Sequence, residues 1–180
     1  MNVTLLRHAP VEKKFLNSFN GWIDIDIQID KNSKKIIKLK ETLLKSNFDQ
    51  VYSSDLKRCV NTLKILGFFN FTKLFEFREI AFRDFAEGRS FEEIEKINPP
   101  PLEAFENIEK WINFIAKESL NEFLDRVKRG IKKLRGENIL ICTHKGVIEA
   151  FLKIYKDIEF FSEKISYLEV IQINNLLIRD

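Results

Sequence analysis

Cysteine and histidine are scarce in this chain, and each scarcity removes a class of function. The two cysteines, Cys59 and Cys142, lie far apart with no CxxC spacing, which argues against a disulfide framework and for reduced thiols packed as small apolar groups. The two histidines, His8 and His144, form no HxxH or HExxH pattern, so no zinc site is expected. No apolar run approaches the roughly 18 residues of a membrane span, and the N-terminus lacks the succession of a secretory signal. Thirty basic residues against 27 acidic ones leave a net charge of +3, too slight for a nucleic-acid-binding surface. Repeats, low-complexity tracts and linkers are absent. The expectation is one domain over residues 1–180, cytoplasmic, a monomer or homodimer, touching neither nucleic acid nor membrane.

Strand-like and helix-like patterns alternate. NVTLL (2–6) reads as a buried strand. Residues 33–46 place Ile36, Ile37, Leu39, Leu43 and Leu44 on one helical face, with lysines opposite. QVYS (50–53) is a second strand. Ser54 caps an expected helix over 55–66 that stops at Gly67. KLFEF (73–77) reads as a third strand, and Ser90 opens a short helix through SFEEI. Two amphipathic helices follow at 103–116 and 119–135. The apolar strand NILIC leads to a helix near 146–155. Residues 166–173 and 176–178 read as a terminal hairpin about Asn174-Asn175. The pattern predicts an α/β fold: a three-layer α/β/α sandwich with a mostly parallel sheet.

In such folds ligands bind beyond the carboxyl ends of the strands. Polar groups gather there: Arg7-His8 after the first strand, Arg58 in the helix after the second, Thr143-His144 after the apolar one. Two guanidinium forks can clamp a phosphoryl group. A neutral histidine between them is a nucleophile for phosphorus, and a protonated second histidine would offset charge on the equatorial oxygens. The leaving oxygen still needs a general acid, a carboxyl of raised pKa.

These residues resemble the histidine phosphatase (phosphoglycerate-mutase-like) superfamily. LLRHAP is similar to its Arg-His-Gly opening, FNGWIDIDI to its Gly-x-x-Asp segment, and VYSSDLKRCVNTLKIL to its Ser-Ser-x-x-x-Arg-x-x-x-Thr helix. FREIAFRDFAEGRSFEEI, ESLNEFLDRVKRGI and ILICTHKGVIEAFL continue the match in order, over residues 3–155. The resemblance implies a phosphoglycerate-mutase-like fold and makes His8 the nucleophile that becomes phosphohistidine. Arg7, Arg58 and His144 would bind phosphoryl oxygens, Glu79 would be the acid and later the base, and Asn20 with the Gly21 backbone would lie at the phosphate mouth. It implies no metal and no cofactor. Four positions depart from the pattern: Ala9 for glycine, Arg83 in place of the glycine of Phe-Gly, Lys145 where a Gly-Gly pair follows the histidine, and Lys14 for a phosphate-touching asparagine. Arg83, Lys145 and Lys14 become candidate substrate-pocket residues.

The resemblance favours the short phosphatase branch, similar to α-ribazole phosphatases, phosphoserine phosphatases and broad-specificity enzymes, because the chain lacks the mutases' inserted segment and tail. The expected activity is hydrolysis of a small phosphomonoester, with residues 84–118 as a lid insertion. A phosphoglycerate mutase and a phosphate- or phosphoprotein-binding module without turnover remain open alternatives.

Overall fold

The computed structural model describes residues 1–177. Five strands form one sheet: β1 (Asn2–Arg7), β2 (Gln50–Ser53), β3 (Thr72–Lys73), β4 (Asn138–Thr143) and β5 (Val170–Ile173), in the order β3-β2-β4-β1-β5. All neighbouring pairs are parallel except β1 with β5. Helices α1 (Lys34–Leu44), α2 (Lys57–Ile65), α3 (Phe91–Ile97), α4 (Ile108–Ile115), α5 (Leu120–Lys132) and α6 (Lys145–Lys156) complete the fold.

The central strands are apolar on both faces, as a sheet covered on both sides requires. Val3, Leu5, Ile139 and Ile141 face a core completed by Ile112 of α4, Phe123 and Val127 of α5 and Phe151 of α6. Leu6, Leu140 and Cys142 face the opposite core, with Ile36 and Leu43 of α1 and Leu63 of α2. The expected α/β architecture, with helices on both faces of a mostly parallel sheet, is therefore observed. Register sets Arg7 beside Thr143 and Ser53 beside Cys142, so the carboxyl ends of β1, β2 and β4 finish on one edge.

Four expectations are corrected. α2 begins at Lys57 behind Leu56, not at Ser54, because Asp55 is drawn off by Arg78 and the Ser54 hydroxyl by His144. KLFEF is not a strand: β3 ends at Lys73 and Phe75–Phe77 turn as a 3-10 helix that buries Phe77 completely. The helix expected over 103–116 is broken into a 3-10 turn (Leu102–Phe105) and α4, because the Asn107 side chain accepts from the Lys110 N–H and starts a new helix. Among the described residues the terminal hairpin does not form. Asn174 and Asn175 do turn, but β5 pairs antiparallel with β1, and Leu176 N–H bonds to the Met1 carbonyl; residue 178 of that expected hairpin lies outside the described residues. Ser90 does cap α3, in a reciprocal box with Glu93. Among the described residues no helix is long and apolar enough to cross a membrane.

Candidate active site

β1 runs directly into the site. His8 continues the ladder through its N–H to the Thr143 carbonyl (3.0 Å). The next residue, Ala9, donates its N–H to Thr62 Oγ1 of α2 (2.8 Å), which ties the loop to the helix that carries Arg58. His8 and His144 meet edge to face with ring centroids 5.2 Å apart.

Their hydrogen bonds give the two imidazoles opposite tautomers. His8 Nδ1 lies 2.8 Å from the Ala9 carbonyl, so Nδ1 carries the proton and Nε2 keeps its lone pair. His8 Nε2 has no hydrogen-bond partner among the described residues. At His144, Nδ1 accepts from Arg58 Nε (3.2 Å) and Nε2 donates to Ser54 Oγ (2.9 Å). Burial, reinforced by the Arg58 and Arg7 charges, holds His8 well below the usual histidine range; burial and Arg58 do the same at His144. Burial thus favours the neutral form of both rings. His144 spends both ring nitrogens on Arg58 and Ser54, and neither it nor Arg58 is among the residues that line the cleft.

Arg58 is fully buried behind the imidazoles. Besides His144, it donates to the carbonyls of Ile23 (2.8 Å), Asn20 (3.0 Å) and Gly21 (2.6 Å). Arg7 sits on the cleft wall, its guanidinium 3.9 Å above the Tyr167 ring and its Nη1 bonded to the Ile165 carbonyl. Its Nε is buried without a partner, and so is Asn20 Oδ1 on the same wall. Such orphans cost about 1–3 kcal/mol each unless something binds them.

Arg7, His8, Asn20, Glu79 and Lys145 all line one cleft of about 150 Å³ whose other walls are mostly apolar, among them Phe19, Phe82, Ile112 and Phe161. Glu79 is held by two backbone amides, its own neighbour Ile80 (3.0 Å) and Gly146 at the start of α6 (3.1 Å). The fit at Gly146 is close: a Cβ there would stand 2.2 Å from Glu79 Oε1, so the carboxyl would have to move aside.

The other candidates fall elsewhere. Gly21 gives its N–H to Glu87 (2.8 Å) and its carbonyl to Arg58, and a Cβ on it would meet the Ile80 carbonyl at 2.4 Å; it is a packing position, not a phosphate donor. Arg83 binds the Ala116 and Asn113 carbonyls at the end of α4, away from the cleft. Lys14 is exposed and paired with Glu12.

Three residues escaped the sequence reading. Glu87 accepts the backbone N–H groups of Gly21, Trp22 and Ile23, fixing the loop whose carbonyls hold Arg58. Arg126 braces the segment that carries Glu79. Glu149 of α6 is 2% exposed and its carboxylate is sparingly satisfied: Lys145 Nζ stands in ionic reach at 3.5 Å and the Phe161 backbone lends a weak hydrogen bond. The first two lie within segments that resemble the family, FREIAFRDFAEGRSFEEI and ESLNEFLDRVKRGI, but their partners lie far along the chain and composition gave neither a role. For Glu149 the signal was a lone acid among the apolar residues of VIEAFL.

Burial pushes the Glu149 carboxyl up to about 7; Lys145 opposes the rise and the Glu79 charge adds to it. Its folded pKa thus exceeds the ordinary 4.5, the folded chain holds the extra proton between those values, and stability falls as pH rises through that window. Glu149→Gln should therefore gain up to about 3 kcal/mol more at pH 8 than at pH 4.5, read by urea unfolding at both. An identical change at the two pH values would refute the buried-acid account.

Among the described residues no three His, Cys, Asp or Glu side chains group as they would around a metal ion. The family model of the histidine phosphatase superfamily (branch 1) matches residues 3–173. Phosphoglycerate mutase-like protein 4 of Arabidopsis thaliana is 26% identical over 161 residues, which are 82% of this chain and 68% of that one. The 2,3-bisphosphoglycerate-dependent phosphoglycerate mutase of Buchnera aphidicola is 43% identical over 67 residues, 36% of this chain and only 28% of the mutase. The solved structure of Bacillus stearothermophilus YhfR superposes with a TM-score of 0.76 at 21% identity, over 96% of this chain and 90% of that one, a likeness of fold.

Proposed function

The chain belongs to the histidine phosphatase superfamily, and on that premise we propose that it is a metal-independent phosphomonoesterase that passes the phosphoryl group of a small metabolite through His8. The observation that carries the reading is the contrast of tautomers. Both nitrogens of His144 are engaged by the protein, whereas His8 Nε2 is unprotonated and His8 lines the cleft.

The lone pair of His8 Nε2 attacks phosphorus as the bond to the leaving oxygen breaks. Glu79, on the same wall, gives that oxygen its proton. Water then attacks the phosphohistidine, Glu79 takes a proton from it, and the N–P bond breaks to return His8 to its starting tautomer. The unpartnered Arg7 Nε–H is available to an equatorial oxygen. Arg58 acts from behind, fixing the His144 tautomer and adding positive potential. Residues 84–118 serve as a lid, with Ile112 and Ile115 of α4 closing the apolar wall. Phosphorylated hydroxy acids such as phosphoserine and ring-bearing esters such as α-ribazole phosphate both belong to the substrate range to be tried.

Release of phosphate from p-nitrophenyl phosphate in the presence of EDTA tests the activity. Glu79→Gln should slow hydrolysis of alkyl phosphates by about 10²-fold or more and hardly touch the first step with p-nitrophenyl phosphate, whose phenolate leaves unaided. An equal loss of the phosphorylation rate on both would remove Glu79 from the acid role. The 43% identity to a mutase segment favours one second reading, a mutase; 2,3-bisphosphoglycerate dependence and an isomerised product instead of free phosphate would identify it.

A further inference from the structure

One charged pair at the cleft is not used by the reaction just described. Lys145 is the first residue of α6, directly after His144, and its side chain is about a third exposed on the cleft wall. Its Nζ stands 5.0 Å from the centre of the Phe161 ring and 3.5 Å from Glu149 Oε1. Phe161 itself is held at a φ of 60°, an uncommon backbone state for a phenylalanine, which sets the ring on that wall.

The pair is unequal. Glu149 is buried and sparingly satisfied, with no close hydrogen bond beyond what the Phe161 backbone and Lys145 lend its carboxylate, whereas Lys145 reaches solvent through the cleft. A buried carboxylate stripped of its cation is costly, so Lys145 can turn to a substrate only as Glu149 takes up a proton and becomes a neutral acid. We propose that Lys145, tethered by Glu149, is the specificity residue of this cleft, and that it selects phosphomonoesters whose apolar body carries one carboxylate. The proposal rests on the phosphomonoesterase reading and deepens it.

Three observations fix the ligand class. The phosphate end is already supplied by Arg7 and His8, so Lys145 is a second cation at the same opening. The ammonium is a point charge whose present partner is a single carboxylate, and the group that replaces Glu149 most directly has the same charge and shape. The wall between them, including Phe19, Phe82 and Phe161, is apolar and aromatic, which suits a ring rather than a polyol. Glu149 in this view is an internal stand-in for the substrate's carboxylate. It holds Lys145 in place and yields it when the substrate arrives.

The probes are phenyl phosphate and its 2-, 3- and 4-carboxyl derivatives, which move the carboxylate in steps along the cleft. Affinities are measured by calorimetry on the full chain carrying His8→Ala, so that nothing is consumed. At least one carboxylated probe should bind about tenfold more tightly than phenyl phosphate. Adding Lys145→Met should bring that ratio close to one. Adding Glu149→Gln instead, with Lys145 kept, should raise the ratio severalfold, an effect that a structural role for Glu149 would not produce and that also guards against a misfolded Lys145 variant. A ratio of one with Lys145 present, or a ratio that Lys145→Met leaves unchanged, would overturn the proposal; so would the failure of all four probes to bind. Absence of phosphate release by the unaltered chain, with the binding ratio retained, would sink only the hydrolase reading and leave the specificity role supported.

Discussion

His8→Ala should abolish phosphate release, by roughly 10⁴-fold or more, the scale expected when a covalent nucleophile is removed. The chain should at the same time lose an acid-labile phosphoryl adduct that a brief incubation with p-nitrophenyl phosphate, followed by an alkaline quench and intact mass measurement, reveals in the unaltered protein. The reasoning is local. His8 is the one imidazole with a nitrogen free of protein partners, and burial beside Arg58 and Arg7 keeps that nitrogen unprotonated through neutral pH. The substitution removes little that holds the fold together. The imidazole makes one hydrogen bond, to the neighbouring Ala9 carbonyl, worth about 1 kcal/mol, and the backbone ladder to Thr143 survives. Near-UV circular dichroism should be unchanged. Activity within a few-fold of the starting value would end the phosphohistidine mechanism.

The second large effect concerns stability. Arg126→Ala should destabilise the chain by about 3–5 kcal/mol, lowering Tm by about 10 °C at this chain length. All five N–H groups of this buried guanidinium are spent. Two go to the Glu118 carboxylate, at 3.0 and 2.6 Å, and the others to the carbonyls of Glu76, Arg78 and Glu79. Alanine would leave a largely buried carboxylate without its cation and three carbonyls without donors. Lysine cannot replace the planar fork, so Arg126→Lys should recover only a small part. The double variant Arg126→Met with Glu118→Leu should lose less than the two single changes summed, because the stranded charge is gone. Full recovery of Tm by Arg126→Lys would show that charge alone matters and that the fork geometry does not.

These residues also show what the sequence could reveal. LLRHAP and ILICTHKG were readable because a continuous apolar run that stops at polar groups means a covered strand ending at an edge, and parallel pairing then brings those ends together. Helices α1 and α3 were readable from spacing and a capping serine. What failed was decided by distant partners. KLFEF has strand composition, yet β3 can pair only with Tyr52 and Ser53 at the end of β2, and the chain then turns to bury Phe77. Asp55 looked like a first-turn helix acid, but Arg78 takes it in a bidentate pair at 2.7 Å. The turn at Asn174-Asn175 was legible, but the partner of β5 was not, since nothing local to 166–177 announces β1. Within the site, His8, Arg7 and Glu79 were placed on the cleft, whereas Arg83 and Gly21 answer to helix α4 and to Glu87. Glu87 and Arg126 stand in segments that resemble the family, but the contacts through which they and Glu149 act join distant parts of the chain.

The close contact between Gly146 and Glu79 has a consequence for how the two halves of the proposed cycle are wired. Glu79 occupies the space where any other residue at 146 would place its β-carbon, so the carboxyl and the first turn of α6 share a volume only one hydrogen atom wide. His8 draws on neither. In the proposed cycle, charging the chain from a reactive donor and discharging it to water would thus draw on separate pieces of the protein, and a methyl group at position 146, by pushing the Glu79 carboxyl aside, should slow the second more than the first.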